Sequence, residues 1–222
     1  MMTNLFSSFD PSMNSYLSMN WVSMTIFLLI IPSTFWINNS RPNILNKKMN
    51  MKLFQEFNIL LNNNKGSEIM FIAMFMIITT YNFMGLFPYI FTSTSHMVMT
   101  LSLAMPMWLG INLFGWLKKT NHMFEHLVPM GTPSLLMPFM VCIETISSLI
   151  RPGTLAIRLA ANMIAGHLLL TLMGNSGNKI NEILLMSMIM MQMTLLMLES
   201  AVAIIQGYVF SMLMTLYSSE IN

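Results

Sequence analysis

Hydrophobic residues run through this chain in stretches long enough to be read without any propensity scale. No Asp, Glu, Lys or Arg occurs between Asp10 and Arg41, between Glu68 and Lys118, or between Glu182 and Glu199. A helix crosses the hydrocarbon core of a bilayer with about 20 apolar residues, so these stretches predict membrane spans. The first covers residues 20–37, with Trp21 and Trp36 near its ends as interfacial aromatics and Pro32 as a kink. The uncharged run from 69 to 117 is too long for one span and suits two, 69–90 and 97–117, separated by Pro88 and the polar stretch Thr92 to His96. The last two runs, 134–173 and 182–219, are each close to twice the length a span requires. At about 1.5 Å per residue they reach roughly 60 Å against a core of about 30 Å. Such helices must tilt steeply, and two tilted neighbours make a curved wall rather than an upright bundle.

Residues 43–63 follow a different pattern. Leu45, Met49, Leu53, Phe57 and Leu60 recur at helical spacing beside Lys47, Lys48 and Lys52, which predicts an amphipathic helix at the membrane surface. Glu56 interrupts its apolar face, and Asn62 to Gly66 ends it in a loop. Lys118 to Pro133 reads as a charged, turn-rich loop in which His122 and His126 are solvated or interfacial. The expected architecture is an all-α membrane protein, a single integral membrane domain over residues 1–222. It has about five transmembrane helices plus one interfacial helix, the last two long and strongly tilted. No internal repeat is evident.

Composition agrees with this picture. Of the 222 residues, 55% are hydrophobic and 8% charged, against about 25% charged in a soluble domain. The net charge of +2 gives no argument for nucleic acid. Cys142 is the single cysteine, so no internal disulfide forms, and the four His with Cys142 show no metal-ligand spacing. No phosphate loop occurs, and nothing calls for a cofactor. The 29 Met residues serve as apolar packing in place of Leu or Ile. The N-terminus has neither a basic leader nor an Arg-rich amphipathic stretch, so the first apolar run is read as a retained span. Lys and Arg follow the first and third spans. Five crossings then place the N-terminus outside and the C-terminus inside.

Ionisable groups within the spans carry the chemistry. An Arg at mid-helix costs about 2.5–3.5 kcal/mol on insertion scales. The last two segments nevertheless keep Glu144, Arg151, Arg158, Asn162, His167 and Glu199. Glu144, Arg151 and Arg158 are seven apart, so each drifts only about 20° around a regular helix and all three share a face. Asn162 lies close to that face. His167, nine after Arg158, points the other way, about 13 Å along the axis. On the final helix Glu199, Ala203 and Gln206 form one stripe, and Ala201, Ala203 and Gly207 permit close helix approach. Arg151 beside Pro152 either snorkels or pairs with Glu144. Asn162 and Gln206 serve either the site or interhelical hydrogen bonding, and His167 with Glu199 forms either a structural bridge or a proton relay. Arg158 has no acidic residue of its own segment within two turns. Arginine stays protonated in proteins, so it needs an anion, which another chain could supply.

The segment IETISSLIRPGTLAIRLAANMIAGHLL, Ile143 to Leu169, resembles the signature of the a subunit of F-type ATP synthase, as does ESAVAIIQGYVFSMLMTLY, Glu199 to Tyr217. NFMGLFPYIFTSTS (Asn82 to Ser95), HLVPMGTPSLLMPF (His126 to Phe139) and the opening NLFSSFD extend the likeness over nearly the whole chain, in its mitochondrial form. The resemblance implies a proton-translocating stator subunit of the mitochondrial inner membrane, multi-pass and without catalytic residues of its own. Its N-terminus would face the intermembrane space and its C-terminus the matrix. Implied partners are the c-ring, other membrane and peripheral-stalk subunits, lipid, and protons as cargo.

Carried over by position, Arg158 matches the arginine that faces the ring, and Asn162 and Gln206 match polar positions near it. His167 and Glu199 match the pair of the outer half-channel; Glu144 and Ser147 match positions of the inner one. At Arg151 the family often, but not always, has a basic residue. A proton would enter past His167 and Glu199, ride on a c-subunit carboxylate through lipid, and leave past Glu144. Arg158 would hold the ionised carboxylate and block a direct leak, since a fixed cation favours a deprotonated neighbour. One charge through about 100 mV is worth about 2.3 kcal/mol, so each ATP takes several. The alternatives are a secondary transporter gripping an anionic solute at Arg158, for which broken helices and repeats are the expected signs, and a membrane anchor without transport.

Overall fold

The computed structural model describes residues 5–12, 18–26, 30, 40–61, 66–128, 133, 135–177 and 182–221. Six α-helices are defined in it: α1 (Arg41–Leu60), α2 (Glu68–Gly85), α3 (Met97–Lys118), α4 (Thr120–Leu127), α5 (Met137–Ser176) and α6 (Glu182–Ile221). Their starts follow local chemistry. Pro occupies the first turn of α1 and of α5, where its missing N–H and fixed φ cost nothing. Glu68 sits in the first turn of α2, opposite the positive end of the helix dipole.

Among the described residues, four helices are long and apolar enough to cross a membrane: Glu68–Gly85, Met97–Lys118, Met137–Ser176 and Leu184–Glu220. These are the last four expected spans, each with ends within a few residues of the expectation. Most of the first expected span, 20–37, lies outside the described residues. Its beginning, Met19–Thr25, is a 3-10 helix rather than the start of an α-helix. α5 and α6, at 40 residues each, have the excess length read from the sequence. Pro152 lies inside α5 and Pro106 inside α3 without ending either.

Three features differ from expectation. The stripe of α1 divides: Leu45 and Met49 are exposed, whereas Leu53 and Phe57, with Leu61 just beyond, enter the protein core. The second half of the helix therefore buries its apolar face against α2 and α6 rather than against lipid. Within the expected loop 118–133 stands α4, eight residues long, folded back on α3 with Phe124 edge-on to Trp116 at 5.2 Å. The polar turn between α2 and α3 is buried rather than surface-lying, with Thr94 only 1% exposed. Short hydroxyl side chains make this tolerable by bonding their own backbone, as Ser95 Oγ does to the Thr92 carbonyl at 2.7 Å.

The core joins Leu53, Phe57 and Leu61 to Phe71, Phe75 and Ile78 of α2, Ala104 and Trp108 of α3, Leu155 and Leu159 of α5, and Phe210 and Met214 of α6. On α6 the buried positions Glu199, Ala203, Gln206, Phe210 and Met214 make one stripe. Ala203 and Gly207 are buried as expected for close approach, but Ala201 is exposed. A Cβ at Gly207 would strike Thr79 of α2, so the close neighbour there is α2. The opposite side of α6 presents Met186, Met190, Met193 and Met197, each at least 60% exposed, a bare apolar surface suited to lipid or a partner.

Candidate functional site

The site residues come from α5 and α6. α5 turns Leu155, Ala156, Leu159, Ala160 and Met163 inward, so Arg158 and Asn162 necessarily face out, and both are exposed. Glu144 and Arg151 are half-exposed, and Arg151 turns toward the end of α6. Ser147 Oγ donates to the Glu144 carbonyl at 2.8 Å, which leaves its oxygen free to accept. Among the described residues no carboxylate pairs with Arg158, whereas Arg151 and His167 each have an acidic neighbour. The charge of Arg158 points away from its own chain.

Behind Arg158 the two helices are tied together. Gln206 Nε2 donates to the backbone carbonyl of Arg158 at 2.8 Å. The carbonyl's second lone pair accepts this bond without giving up the helix. Of the two readings left open for Gln206, the geometry gives an interhelical hydrogen bond, made at the backbone of Arg158. Gln206 Oε1 is buried and has no partner among the described residues.

His167 leaves the Arg158 face, as its spacing required, and turns toward Glu199 of α6. Nε2 lies 3.8 Å from Glu199 Oε1, beyond hydrogen-bond reach but close enough for one proton or one water to join them. The side chains are only 17% and 7% exposed. His167 Nε2 and both Glu199 carboxylate oxygens are sealed from solvent with no hydrogen-bond partner among the described residues. Burying such groups unbonded is costly, and functional sites are where that cost is tolerated. The carboxylate fits because residue 166 is glycine: a Cβ there would come within 2.5 Å of Glu199 Oε1 and 2.8 Å of its Cδ.

Arg151 resolves differently. One guanidinium nitrogen lies 3.5 Å from Glu144 Oε1 and another 2.5 Å from Glu220 Oε2. The guanidinium carbon sits 5.1 Å from the centroid of Tyr217. The planar fork of arginine allows this bridging and stacking together. The expected pairing with Glu144 is present, and the closer partner, Glu220, was not anticipated. An arginine with one weak local acid was the available signal, and only the packing of two helix ends shows which distant carboxylate completes it.

Measured along α5 at about 1.5 Å per residue, Arg158 stands roughly 21 Å from Glu144 and roughly 13 Å from His167. Among the described residues Arg158, which makes no ion pair, thus stands between two groups of titratable residues toward opposite ends of one helix. No group of His, Cys, Asp and Glu fit to hold a metal occurs among the described residues.

A family model described as ATP synthase A chain matches residues 17–219. Among curated proteins, ATP synthase subunit a of Locusta migratoria is 62% identical over 224 residues, covering 100% of both chains. The proteins of the same name from Drosophila melanogaster and Aedes albopictus are 60% and 59% identical, again over 100% of each chain.

Proposed function

The chain belongs to the ATP synthase A chain family, and from that premise we propose that Arg158 faces a rotating ring of c subunits and separates two proton half-channels. Proton translocation in the membrane sector of the ATP synthase is the function of the chain, as a multi-pass component of the mitochondrial inner membrane. The full-length relatives give a transporter of anionic solutes no support. The chain contributes no nucleotide chemistry; it gates the ion flow that drives the nucleotide-binding head.

The observation that carries the site assignment is the solitary, outward-facing charge of Arg158 between two separated acidic groups. His167 and Glu199 receive the proton from the intermembrane-space side. The two groups stand 3.8 Å apart, so a small side-chain rotation brings them into hydrogen-bond reach for exchange, and the proton then passes to a carboxylate of the ring. Asn162, one turn from Arg158, lines the approach to the arginine, and Gln206 steadies the backbone behind it. On the far side Glu144, with Ser147 one turn along, accepts the proton released to the matrix. The N-terminus lies toward the intermembrane space and the C-terminus toward the matrix.

Exchange of the pair tests the relay. His167→Glu combined with Glu199→His keeps one imidazole and one carboxylate in the same buried space. Proton-driven ATP synthesis by the reconstituted complex is expected to fall less in the exchanged form than in His167→Ala alone. Equal or greater loss on exchange counts against a relay. Arg151 is expected to behave unlike Arg158, because its charge is already matched within the chain. A half-exposed ion pair contributes about 0.2–1 kcal/mol, so Arg151→Gln should cost no more than about fivefold in synthesis. Charge exchange, Arg151→Glu with Glu220→Arg, should recover part of that loss; a hundredfold loss in Arg151→Gln would place Arg151 in the proton path itself.

A further inference from the structure

We propose that Phe9 is a positioning residue that caps His167, and that the 3-10 turn Leu5–Phe9 is a fixed cover over the outer mouth of the proton path. The proposal rests on the assignment of His167 and Glu199 to that path.

Phe9 is held from both ends. Its backbone carbonyl bonds His96 Nε2 at 2.9 Å, across 87 residues of sequence. Its ring stands edge-to-face with the imidazole of His167, at 6.4 Å between centroids and 86° between planes. The anchor is itself supported. His96 lies against Trp21 and Phe91, each ring 5.3 Å away, and Ser23 Oγ donates to the Phe91 carbonyl at 3.1 Å. Asn20 Nδ2 donates to the Asp10 carbonyl at 3.3 Å, which fastens the chain just after Phe9. An exposed turn normally frays; this one is fixed at the residue whose ring meets the half-buried histidine.

The chemistry of the cap suits the task. A perpendicular aromatic pair has a preferred geometry, so the Phe9 ring holds the imidazole in one orientation. It offers no hydrogen bond, so it cannot compete with Glu199 for the proton on His167. A polar side chain at this place would bind the Nε2 edge or admit water along an uncontrolled route.

Zinc ion supplies the test, because a His nitrogen and a carboxylate oxygen are its ordinary ligands. The assembled complex is reconstituted, and zinc is added on the side of the N-terminus while proton-driven ATP synthesis is followed. Phe9→Ala is expected to lower synthesis at least threefold and to lower the zinc concentration for half-inhibition at least tenfold. His96→Ala, which releases the cover from its other end, should give the same gain in zinc sensitivity. Phe9→Tyr, which keeps the ring, should stay within twofold of the parent in both respects. Adding His167→Gln to Phe9→Ala should remove the gained sensitivity. The proposal is overturned if zinc sensitivity is unchanged in both Phe9→Ala and His96→Ala, or if Phe9→Tyr is as impaired as Phe9→Ala. A parent indifferent to His167→Ala would instead remove the underlying assignment of the pair.

Discussion

Arg158→Gln is expected to lower proton-driven ATP synthesis by at least about a hundredfold, equivalent to about 2.7 kcal/mol, while ATP hydrolysis by the head persists. The loss should be electrostatic, not structural. Arg158 reaches the neighbouring helix through its backbone carbonyl, which accepts from Gln206 at 2.8 Å, and that bond survives any side-chain substitution. Its guanidinium makes no ion pair within the described residues, so removing it leaves no orphaned carboxylate behind. What disappears, on the proposed assignment, is the cation that meets the ionised carboxylate of the passing ring. Arg158→Lys is expected to recover little, because a lysine ammonium in a poorly hydrated site gives up its proton far more readily than arginine. Synthesis by reconstituted complex under an imposed proton gradient, with hydrolysis measured on the same preparation, decides the matter. Synthesis above a tenth of the parent rate in Arg158→Gln would sink the assignment.

Gly166→Ala should also damage transport, by at least about tenfold, or about 1.4 kcal/mol. The new Cβ would stand 2.5 Å from Glu199 Oε1, 2.8 Å from Cδ and 3.2 Å from Cγ. Those atoms are the far end of a flexible side chain, so the carboxylate swings aside and the helices stay packed. The subunit should therefore assemble normally yet hold Glu199 away from His167. Shortening the acid offers a specific rescue: Gly166→Ala with Glu199→Asp should synthesise ATP faster than Gly166→Ala alone. A double variant no better than the single one, or loss of the subunit from the complex, would show that the glycine serves helix packing instead.

Much of the architecture could be read from the sequence because charge-free length is a one-dimensional signal. α2, α3, α5 and α6 begin and end within a few residues of where charges and prolines placed them. Spacing also separated Arg158 from His167, since nine residues turn a helix by half a circle whatever surrounds it. Tertiary partners were less accessible. Gln206 read equally well as site or as glue until its donor was seen on the Arg158 carbonyl. Glu220 and Tyr217 carried no local sign of their association with Arg151. The split of α1 into an exposed half and a buried half depends on where α2 and α6 lie, which its own periodicity does not encode. α4 was obscured because eight residues with few apolar positions resemble a loop. Gly166 was quoted within a motif, but its reason, space for a carboxylate from another helix, exists only in three dimensions.

The methionine face of α6 bears on a problem of mechanics. A surface that must let another body slide past it fails if the two interlock. Branched side chains set into matching hollows fix a register, as knobs do in holes. Met186, Met190, Met193 and Met197 present unbranched thioethers with three rotatable bonds each. Such a surface adapts to whatever packs against it, keeping contact while holding no notch.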